Sequence, residues 1–218
     1  ASLAELVWPA MDGRFQAATW LGWAKAIPDE VVRARPVLGV AYAWALLNGG
    51  ELEAAEVRLS EAERWLGGSA EPLVADAAQF GALPASIATA RAYLAQAHGD
   101  IASSVTHGRR ALDLLPAGDH LRRGPAAALL GLAQWASGDL EPAYRTLAEA
   151  MAGFRQAGSL HFALSVTSGL ADIRKTQGRL RDAVAIYTQA LQLALAQGQP
   201  PLRGTADLYL GLSELEHE

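Results

Sequence analysis

The stretch GDLEPAYRTLAEA at residues 138–150 contains the pattern that decides the fold. A glycine is followed by an acidic residue and a leucine, then by Ala143, by Leu147 and by Ala150. The first glycines of its five copies lie 37, 49, 39 and 40 residues apart, which indicates an internal repeat. The other copies, two of them weaker, lie at 13–25, 50–62, 99–111 and 178–190.

Each part of this pattern has a physical reason. The glycine supplies the left-handed residue that ends one helix. In two copies the residue after the glycine is acidic: Glu51 in one and Asp139 in the other. It lies at the start of the next helix, where the helix dipole favours a negative charge. The small alanines allow two helix backbones to approach closely, and the larger residue between them fills the gap to the next repeat.

A second helical stretch precedes four of the glycines. Each repeat is therefore predicted to be a helix, a tight turn and a helix, and stacked neighbours bury the apolar face of each pair. Alternating runs rich in Val, Ile and Thr, which strands need, do not occur. The predicted fold class is all-α, an α-α superhelix of tetratricopeptide-like (TPR-like) helix pairs with about 10–12 helices. The upstream stretches are 37–47, 86–98, 126–137 and 165–177.

The spacing of 49 residues surrounds an irregular segment. Gly67-Gly68-Ser69 and Pro72 predict a loop, and Pro84 begins or kinks a helix, so we expect an elongated or two-piece helix at 71–98. A short turn of helix is expected between Pro28 and Pro36. The chain 1–218 is predicted to be one domain, a fragment of a larger protein. Its repeats are predicted at 1–26, 37–66, 71–115, 119–157, 160–197 and, as a truncated pair, from 202.

Composition excludes several classes of protein. Hydrophobic residues make up 51% of the chain and charged residues 19%, which favours a folded helical core over disorder. The net charge of -5 and the lack of a basic face argue against direct contact with nucleic acid. The absence of cysteine excludes disulfides and thiolate metal sites. No signal peptide or transmembrane segment is predicted, so we expect a cytoplasmic protein without membrane contact.

One segment carries a more specific resemblance. It reads Gly13-Arg14-Phe15, Trp20-Leu21, Ile27-Pro28-Asp29-Glu30-Val31, Arg35-Pro36-Val37-Leu38, Tyr42-Ala43-Trp44-Ala45-Leu46 and Gly50-Glu51-Leu52-Glu53-Ala54-Ala55. This segment resembles the repeat region of the large MalT-like regulators of the LuxR family, and Leu210-Gly211-Leu212-Ser213-Glu214-Leu215 resembles the opening helix of a further repeat. The resemblance extends over essentially the whole chain and is strongest at 10–66.

The resemblance implies a sensor. In that family an ATP-binding module precedes the superhelix and a helix-turn-helix follows it, and in MalT the superhelix binds an inducing sugar. This chain departs from the full pattern at both ends, because Gly67-Gly68-Ser69 lacks the lysine of a phosphate loop and no recognition helix with a basic face occurs. We therefore expect no cofactor in this chain. Any ATP site or DNA contact of the parent protein would lie outside these residues.

The first helix of each pair is expected to line the groove that binds a ligand. Trp44, Tyr93 and Trp135 are the predicted aromatic anchors, and Gln96, Asp172 and Lys175 the predicted polar contacts. Further groove positions are Val40, Leu47, Thr89, Leu132, Ser168 and Glu214. Two simpler readings remain open. The aromatic residues also fit a core between repeats, and Asp172 and Lys175, three residues apart, also fit an ion pair on one helix face.

No constellation of residues indicates catalysis or metal binding. The five histidines lack the spacing of a metal site, and His98, just before Gly99, suits the negative end of a helix. Ser103 and Ser104 have no acid–base partner near them in sequence except His107. We therefore expect no enzyme. The other histidines are His120, His161 and His217.

Two functions remain as hypotheses. The first is an effector- or partner-binding sensor and scaffold domain of a MalT-like regulator, whose partner is a small molecule or a regulatory protein. The second is a stand-alone TPR adaptor that grips a peptide tail. Self-association is also open, because an apolar end is expected around Leu208, Leu210, Leu212 and Leu215, which either the chain itself or a second copy must cover.

Overall fold

A computed structural model describes residues 1–14, 16–68, 72–197 and 202–216. These residues form thirteen α-helices and one 3-10 helix, and no strand occurs among them. The α-helices are α1 (Ser2–Asp12), α2 (Ala17–Ala24), α3 (Asp29–Arg33), α4 (Pro36–Asn48), α5 (Leu52–Glu63), α6 (Ala77–Gly81), α7 (Leu83–Ala97), α8 (Ile101–Leu114), α9 (His120–Ala136), α10 (Leu140–Gln156), α11 (Leu160–Thr176), α12 (Leu180–Leu195) and α13 (Thr205–Glu216). The 3-10 helix is η1 (Arg64–Leu66).

The all-α class with TPR-like helix pairs is confirmed. The pairs are α1/α2, α4/α5, α7/α8, α9/α10 and α11/α12, and α13 packs on α12. The expected short helix between Pro28 and Pro36 is α3, and the two-piece helix is α6 followed by α7. The thirteen α-helices of the described residues exceed the predicted 10–12, and these short helices account for the excess.

Left-handed glycines end the first helix of four pairs, as the repeat pattern predicts. Gly50, Gly99, Gly138 and Gly178 have φ between 71° and 86°. In each case the residue after the glycine donates a backbone hydrogen bond of 2.8–2.9 Å to the carbonyl five residues back. Gly158 and Gly204 also have positive φ, which the sequence pattern did not identify.

The weak copy at Gly13 departs from this geometry. Gly13 has φ -60°, so the expectation of a left-handed glycine there is wrong. The corresponding hydrogen bond is donated by the amide of Gln16, three residues after the glycine instead of one, to the carbonyl of Met11 at 2.8 Å. The turn of the first pair is thus longer than that of the others, and Ala18, the first alanine of this copy, is exposed.

The chain divides into two compact units, Ala1–Leu115 and Pro116–Glu218. The core of unit 1 contains the fully buried side chains of Trp20, Leu38, Leu47 and Leu59. The indole Nε1 of Trp20 donates a 2.9 Å hydrogen bond to the carbonyl of Ala4, which ties α2 to α1. The prediction of one domain over 1–218 stays a prediction.

In unit 2 the helices pack through the small residues of the repeat. Ala143, Ala150 and Ala183 are fully buried, and glycines on α9 face large side chains of α10. A Cβ on Gly131 would lie 2.7 Å from the side chain of Leu147, so the two helices approach too closely for any larger residue. A second core surrounds Tyr187 and includes Leu164, Ala171, Ala194 and Leu208.

The apolar end expected at α13 is largely covered by the chain's own helices. Leu208 is 1% exposed, and Leu212 and Leu215 pack against the cluster around Tyr187, because α13 lies on α11 and α12. Of the four predicted leucines only Leu210 is exposed, at 61%. Within the described residues no helix has the length and hydropathy needed to cross a membrane.

Candidate functional site

The aromatic anchors predicted in unit 1 lie side by side. Trp44 on α4 and Tyr93 on α7 have ring centroids 5.8 Å apart at an interplanar angle of 66°, an edge-to-face contact. Both rings are half-buried and pack against the core of unit 1, so each contributes to the core and keeps part of its surface in solvent. Gln96 is half-buried and lies three residues after Tyr93, on the same face of α7.

Three further positions that the sequence assigned to a groove are core residues instead. Val40 is 5% exposed, Leu47 2% and Thr89 6%. The hydroxyl of Thr89 donates a 2.9 Å hydrogen bond to the carbonyl of Ala85 within its own helix. Helical spacing did not distinguish these buried positions from the half-buried ones.

A carboxylate that sequence reasoning missed lies at the end of α4, the helix that carries Trp44. The amide of Asn48 donates a 3.2 Å hydrogen bond to Asp12 Oδ1. Asn48 lies one helical turn after Trp44, on the same face of α4. Burial raises the pKa of Asp12, and the hydrogen bond from Asn48 opposes this only in part. The residues lie 36 positions apart, and no sequence motif connects them.

The polar residues predicted in unit 2 surround Tyr187. Asp172 and Lys175 are both half-buried on α11. Burial raises the pKa of Asp172; the positive charge of Lys175 opposes the rise, and the negative charge of Glu214 adds to it. Tyr187 forms a hydrogen bond with Ser168, and burial raises the pKa of its phenol. Asp172 and Lys175 therefore interact electrostatically, as the simpler reading of their spacing allowed.

Trp135 occupies a different place in unit 2. Its ring is half-buried, and its Cζ3 lies 3.9 Å from the point where a Cβ on Gly169 of α11 would be. The ring thus covers a small residue of the next repeat, which is a packing contact between α9 and α11. Leu132 is half-buried and also lies close to Gly169.

Two charged clusters in unit 1, also missed from the sequence, hold helices together. The guanidinium of Arg91 on α7 donates two hydrogen bonds to Glu63, at 2.8 and 2.9 Å, and one to Ser60, both on α5. Glu5 on α1 is fully buried; it accepts hydrogen bonds from Arg35 at 3.2 Å and from the amide of Ala75 at 2.7 Å. Such contacts link repeats and have a structural role.

The histidines and serines form no catalytic arrangement among the described residues. No group of three or more His, Asp or Glu side chains in that part of the chain is placed to hold a metal. His98 is the C-cap residue of α7, where a positive charge is favoured. Ser104 is buried, and its hydroxyl donates a hydrogen bond to the carbonyl of Ala92. Burial lowers the pKa of His107. His217 lies outside the described residues.

Comparison with known proteins agrees with the helix-pair fold. Residues 85–218 match the sequence profile of the MalT-like TPR region, a range that includes residues 210–215 and lies after the segment 10–66, where the resemblance was strongest. BtubC (BKLC) from P. vanneervenii superposes with a TM-score of 0.64 at 16% identity, covering 92% of this chain and 80% of that one. TTC0263, a thermophilic TPR protein of Thermus thermophilus, superposes with a TM-score of 0.61 at 16% identity, covering 99% of this chain and 98% of that one. No curated protein sequence matches significantly.

Proposed function

Because this chain belongs to the MalT-like TPR family, we propose that it is the non-catalytic sensor and scaffold domain of a MalT-like transcriptional regulator of the LuxR family. In this proposal the domain binds a regulatory protein or a small-molecule effector through side chains on the first helices of its pairs. ATP and DNA would bind to other modules of the parent protein, which would act in the cytoplasm.

The half-buried pair Trp44 and Tyr93 carries the proposal for this chain. Two rings from successive first helices provide an apolar surface, and Gln96 and Asn48 lie within one helical turn of them. Aromatic surface beside a few fixed polar groups is what ligand and peptide sites usually offer. Binding would regulate the parent only if the ligand has different affinities for two conformations of the domain.

The test is binding by the whole chain. We expect a linear 12-residue peptide library displayed on phage, or a thermal-shift screen of sugars and metabolites, to yield ligands. Trp44→Ala should weaken them about tenfold or more, because it removes an aromatic anchor. Trp23→Ala is the matched control, since Trp23 is 51% exposed on α2 and should leave binding unchanged.

Loss of folding must be separated from loss of binding. Gln96→Ala, at a half-buried position, removes a polar contact without opening the core and should also weaken the ligand. Circular dichroism on all three variants identifies any that are misfolded. If folded Trp44→Ala and Gln96→Ala proteins bind as the parent does, these residues are not the site.

The alternative is a stand-alone TPR adaptor that holds a peptide tail, and the helix-pair fold is equally compatible with it. A clamp for a terminal carboxylate needs amide and cationic donors, but the amide of Asn48 donates to the carboxylate of Asp12, whose negative charge would repel such a ligand. Selection of peptides without any response to metabolites would favour the adaptor.

A further inference from the structure

One face of α13, the last helix of unit 2, is left open by the described residues. Leu208 and Leu212, on the opposite side of this helix, pack in the core that α11 and α12 share with it. The open face consists of small or apolar residues that recur every three or four positions, which is the spacing of a helix face that packs against another helix. Its residues are Ala206, Tyr209 at 52% exposure, Leu210 at 61% exposure and Ser213.

The docking of α13 on α12 repeats the docking of α11 on α10. A Cβ on Gly169 of α11 would lie 3.3 Å from the side chain of Leu147, and a Cβ on Gly211 of α13 would lie 2.6 Å from the phenol oxygen of Tyr187. Leu147 and Tyr187 occupy the same position of the repeat pattern, nine residues after its first glycine. Gly211 therefore takes the place of Gly169, and each residue of α13 corresponds to the residue 42 positions earlier in α11. The buried residues agree with this offset, since Thr205 and Leu208 correspond to Ala163 and Val166.

In α11 the face that corresponds to the open face of α13 is covered by the second helix of its pair. Leu164 is 2% exposed and Ala171 is 1% exposed, and both belong to the core around Tyr187 of α12. Ser168, which lies between them on α11, forms a hydrogen bond with Tyr187. The same face thus binds a second helix in α11, whereas none of the described helices covers it in α13. The counterparts of Leu164, Ser168 and Ala171 are Ala206, Leu210 and Ser213.

The helix that covers α11 shows which kind of helix such a face accepts. On α12 the buried Ala183 and Ala190 lie on either side of the large ring of Tyr187. The small residues allow two helix backbones to approach closely, while the ring fills the space between them. The second helices of this chain, α2, α5, α8, α10 and α12, are each packed in their own pair, so a second copy has none of them left to offer.

Charge also argues for a partner other than a second copy of α13. Asp207 and Glu214 are exposed on α13, which has no basic residue along its described length. Glu214 also interacts electrostatically with Asp172 on α11, where Lys175 is the positive group. Two such acidic faces would repel each other, whereas a helix with basic residues beside its apolar strip would be attracted.

We propose that the open face of α13 binds an amphipathic helix of a partner protein, in which alanines flank one large apolar residue and basic residues border the apolar strip. The partner helix takes the place on α13 that α12 takes on α11, so that its apolar strip packs on Leu210 and its basic residues meet Glu214. This surface belongs to unit 2, whereas the proposed effector surface around Trp44 belongs to unit 1. The two proposals therefore stand or fall separately.

The probe for this face is a synthetic peptide with the sequence of residues 178–197, which carries the required pattern together with Arg179 and Arg181. We expect it to bind the whole chain in isothermal titration calorimetry. Leu210→Ser should weaken binding about tenfold or more, because the burial of a leucine side chain is lost. Leu121→Ser is the matched control, since Leu121 is 59% exposed on α9, and it should leave the affinity unchanged. A peptide of the same composition in scrambled order should not bind.

A second set of titrations tests the charge of the partner. Replacing both arginines of the peptide by glutamine should weaken binding several-fold, and Glu214→Gln should weaken the arginine peptide while leaving the glutamine peptide unchanged. Glu53→Gln removes a carboxylate from an exposed position on α5 and should change neither affinity, which excludes an effect of net charge alone.

Sedimentation velocity of the chain alone tests the other occupant, a second copy. If the chain forms a dimer that Leu210→Ser abolishes, a second copy covers the face and the partner helix is wrong. Equal binding of the peptide to the parent and to Leu210→Ser would show that it binds elsewhere, for example by displacing α12, and would also overturn the proposal. Failure of the peptide to bind at all would do the same. None of these results bears on the effector surface around Trp44.

Discussion

At the scale of single residues, the ionised form of Asp12 carries an electrostatic cost of burial. Its carboxylate is half-buried at the end of α1, and burial raises its pKa. The buried Glu5 differs, because Arg35 and the amide of Ala75 satisfy its carboxylate.

Replacement of Asp12 by Asn should stabilise the free chain at neutral pH. A carboxyl group whose pKa is higher in the folded state than in the unfolded state destabilises the fold when it ionises. The destabilisation begins near the unfolded pKa of 3.8 and grows until the pH reaches the raised folded pKa. Asn keeps an acceptor for the amide of Asn48 and does not ionise. We expect a Tm above that of the parent by up to about 3 °C at pH 7, and no difference below the unfolded pKa.

Calorimetric scans of both proteins between pH 3 and pH 7 measure this difference directly. All other titrating groups are shared, so the difference between the two Tm curves reports on Asp12. A Tm difference that is largest at low pH, or a variant that is less stable at pH 7, would contradict the account of Asp12.

Replacement of Glu5 should have the opposite effect. Glu5→Ala leaves the guanidinium of Arg35 without its carboxylate and the amide of Ala75 without an acceptor, in a place where water has little access. We expect a loss of about 3 kcal/mol in the free energy of unfolding, measured by urea titration. Glu53→Ala, at an exposed position, should lose less than about 0.5 kcal/mol; equal losses in the two variants would show that Glu5 makes no specific contribution.

At the scale of helices, the repeat pattern predicted what depends on nearby residues. The left-handed glycines, the helices before and after them and the buried alanines all follow from interactions within about one turn, and four of the five copies have this geometry. The prediction for Gly13 was wrong: its turn is longer, and the backbone hydrogen bond that Glu51 makes in its repeat is made by Gln16 in this one. The helical periodicity likewise did not separate the buried Leu47 from the half-buried Trp44.

The parts of the site that were missed depend on the register between repeats. Asp12 and Asn48 meet because α1 and α4 lie side by side with a particular offset, which no short motif encodes. The same holds for Arg91, whose partners Glu56 and Glu63 lie on another helix. The pairing of Trp44 with Tyr93 was closer to prediction, since both occupy equivalent positions of their repeats, four residues before the ends of α4 and α7.

The contact between α9 and α10 gives a prediction for helix packing. Gly131→Ala would place a methyl group 2.7 Å from the side chain of Leu147 and 3.1 Å from its backbone nitrogen, so a rotamer change alone does not relieve the clash. We expect a loss of about 1–3 kcal/mol in the free energy of unfolding. Gly22→Ala, within α2 and with no atom within 4 Å of the new methyl, should gain about 0.5–1 kcal/mol instead.

Urea titrations of the two variants, followed by circular dichroism at 222 nm, distinguish packing from helix propensity. Both substitutions replace a helical glycine by alanine, so propensity alone predicts stabilisation in each. Stabilisation by Gly131→Ala would mean that α9 and α10 are not as close as described.

At the scale of the whole molecule, the two compact units each contain a buried core of their own. Unit 1 is built around Trp20, Leu38 and Leu59, and unit 2 around Leu147 and Leu170, with a further cluster at Tyr187. In repeat proteins, stability is a sum of local terms, so a weakened repeat opens its neighbours before it opens distant ones. A substitution in one core should therefore increase local unfolding mainly in its own unit.

Gly131→Ala tests this through hydrogen exchange followed by mass spectrometry on the whole chain. Its clash with Leu147 lies in unit 2, so we expect faster exchange of amides in α9, α10 and α11, and unchanged exchange in α4, α5 and α7. The reciprocal variant is Leu59→Ala, which leaves a cavity in unit 1 and should accelerate exchange there and not in unit 2. Equal acceleration in both units by either variant would show that 1–218 unfolds as one cooperative body, which is the behaviour expected of a single domain.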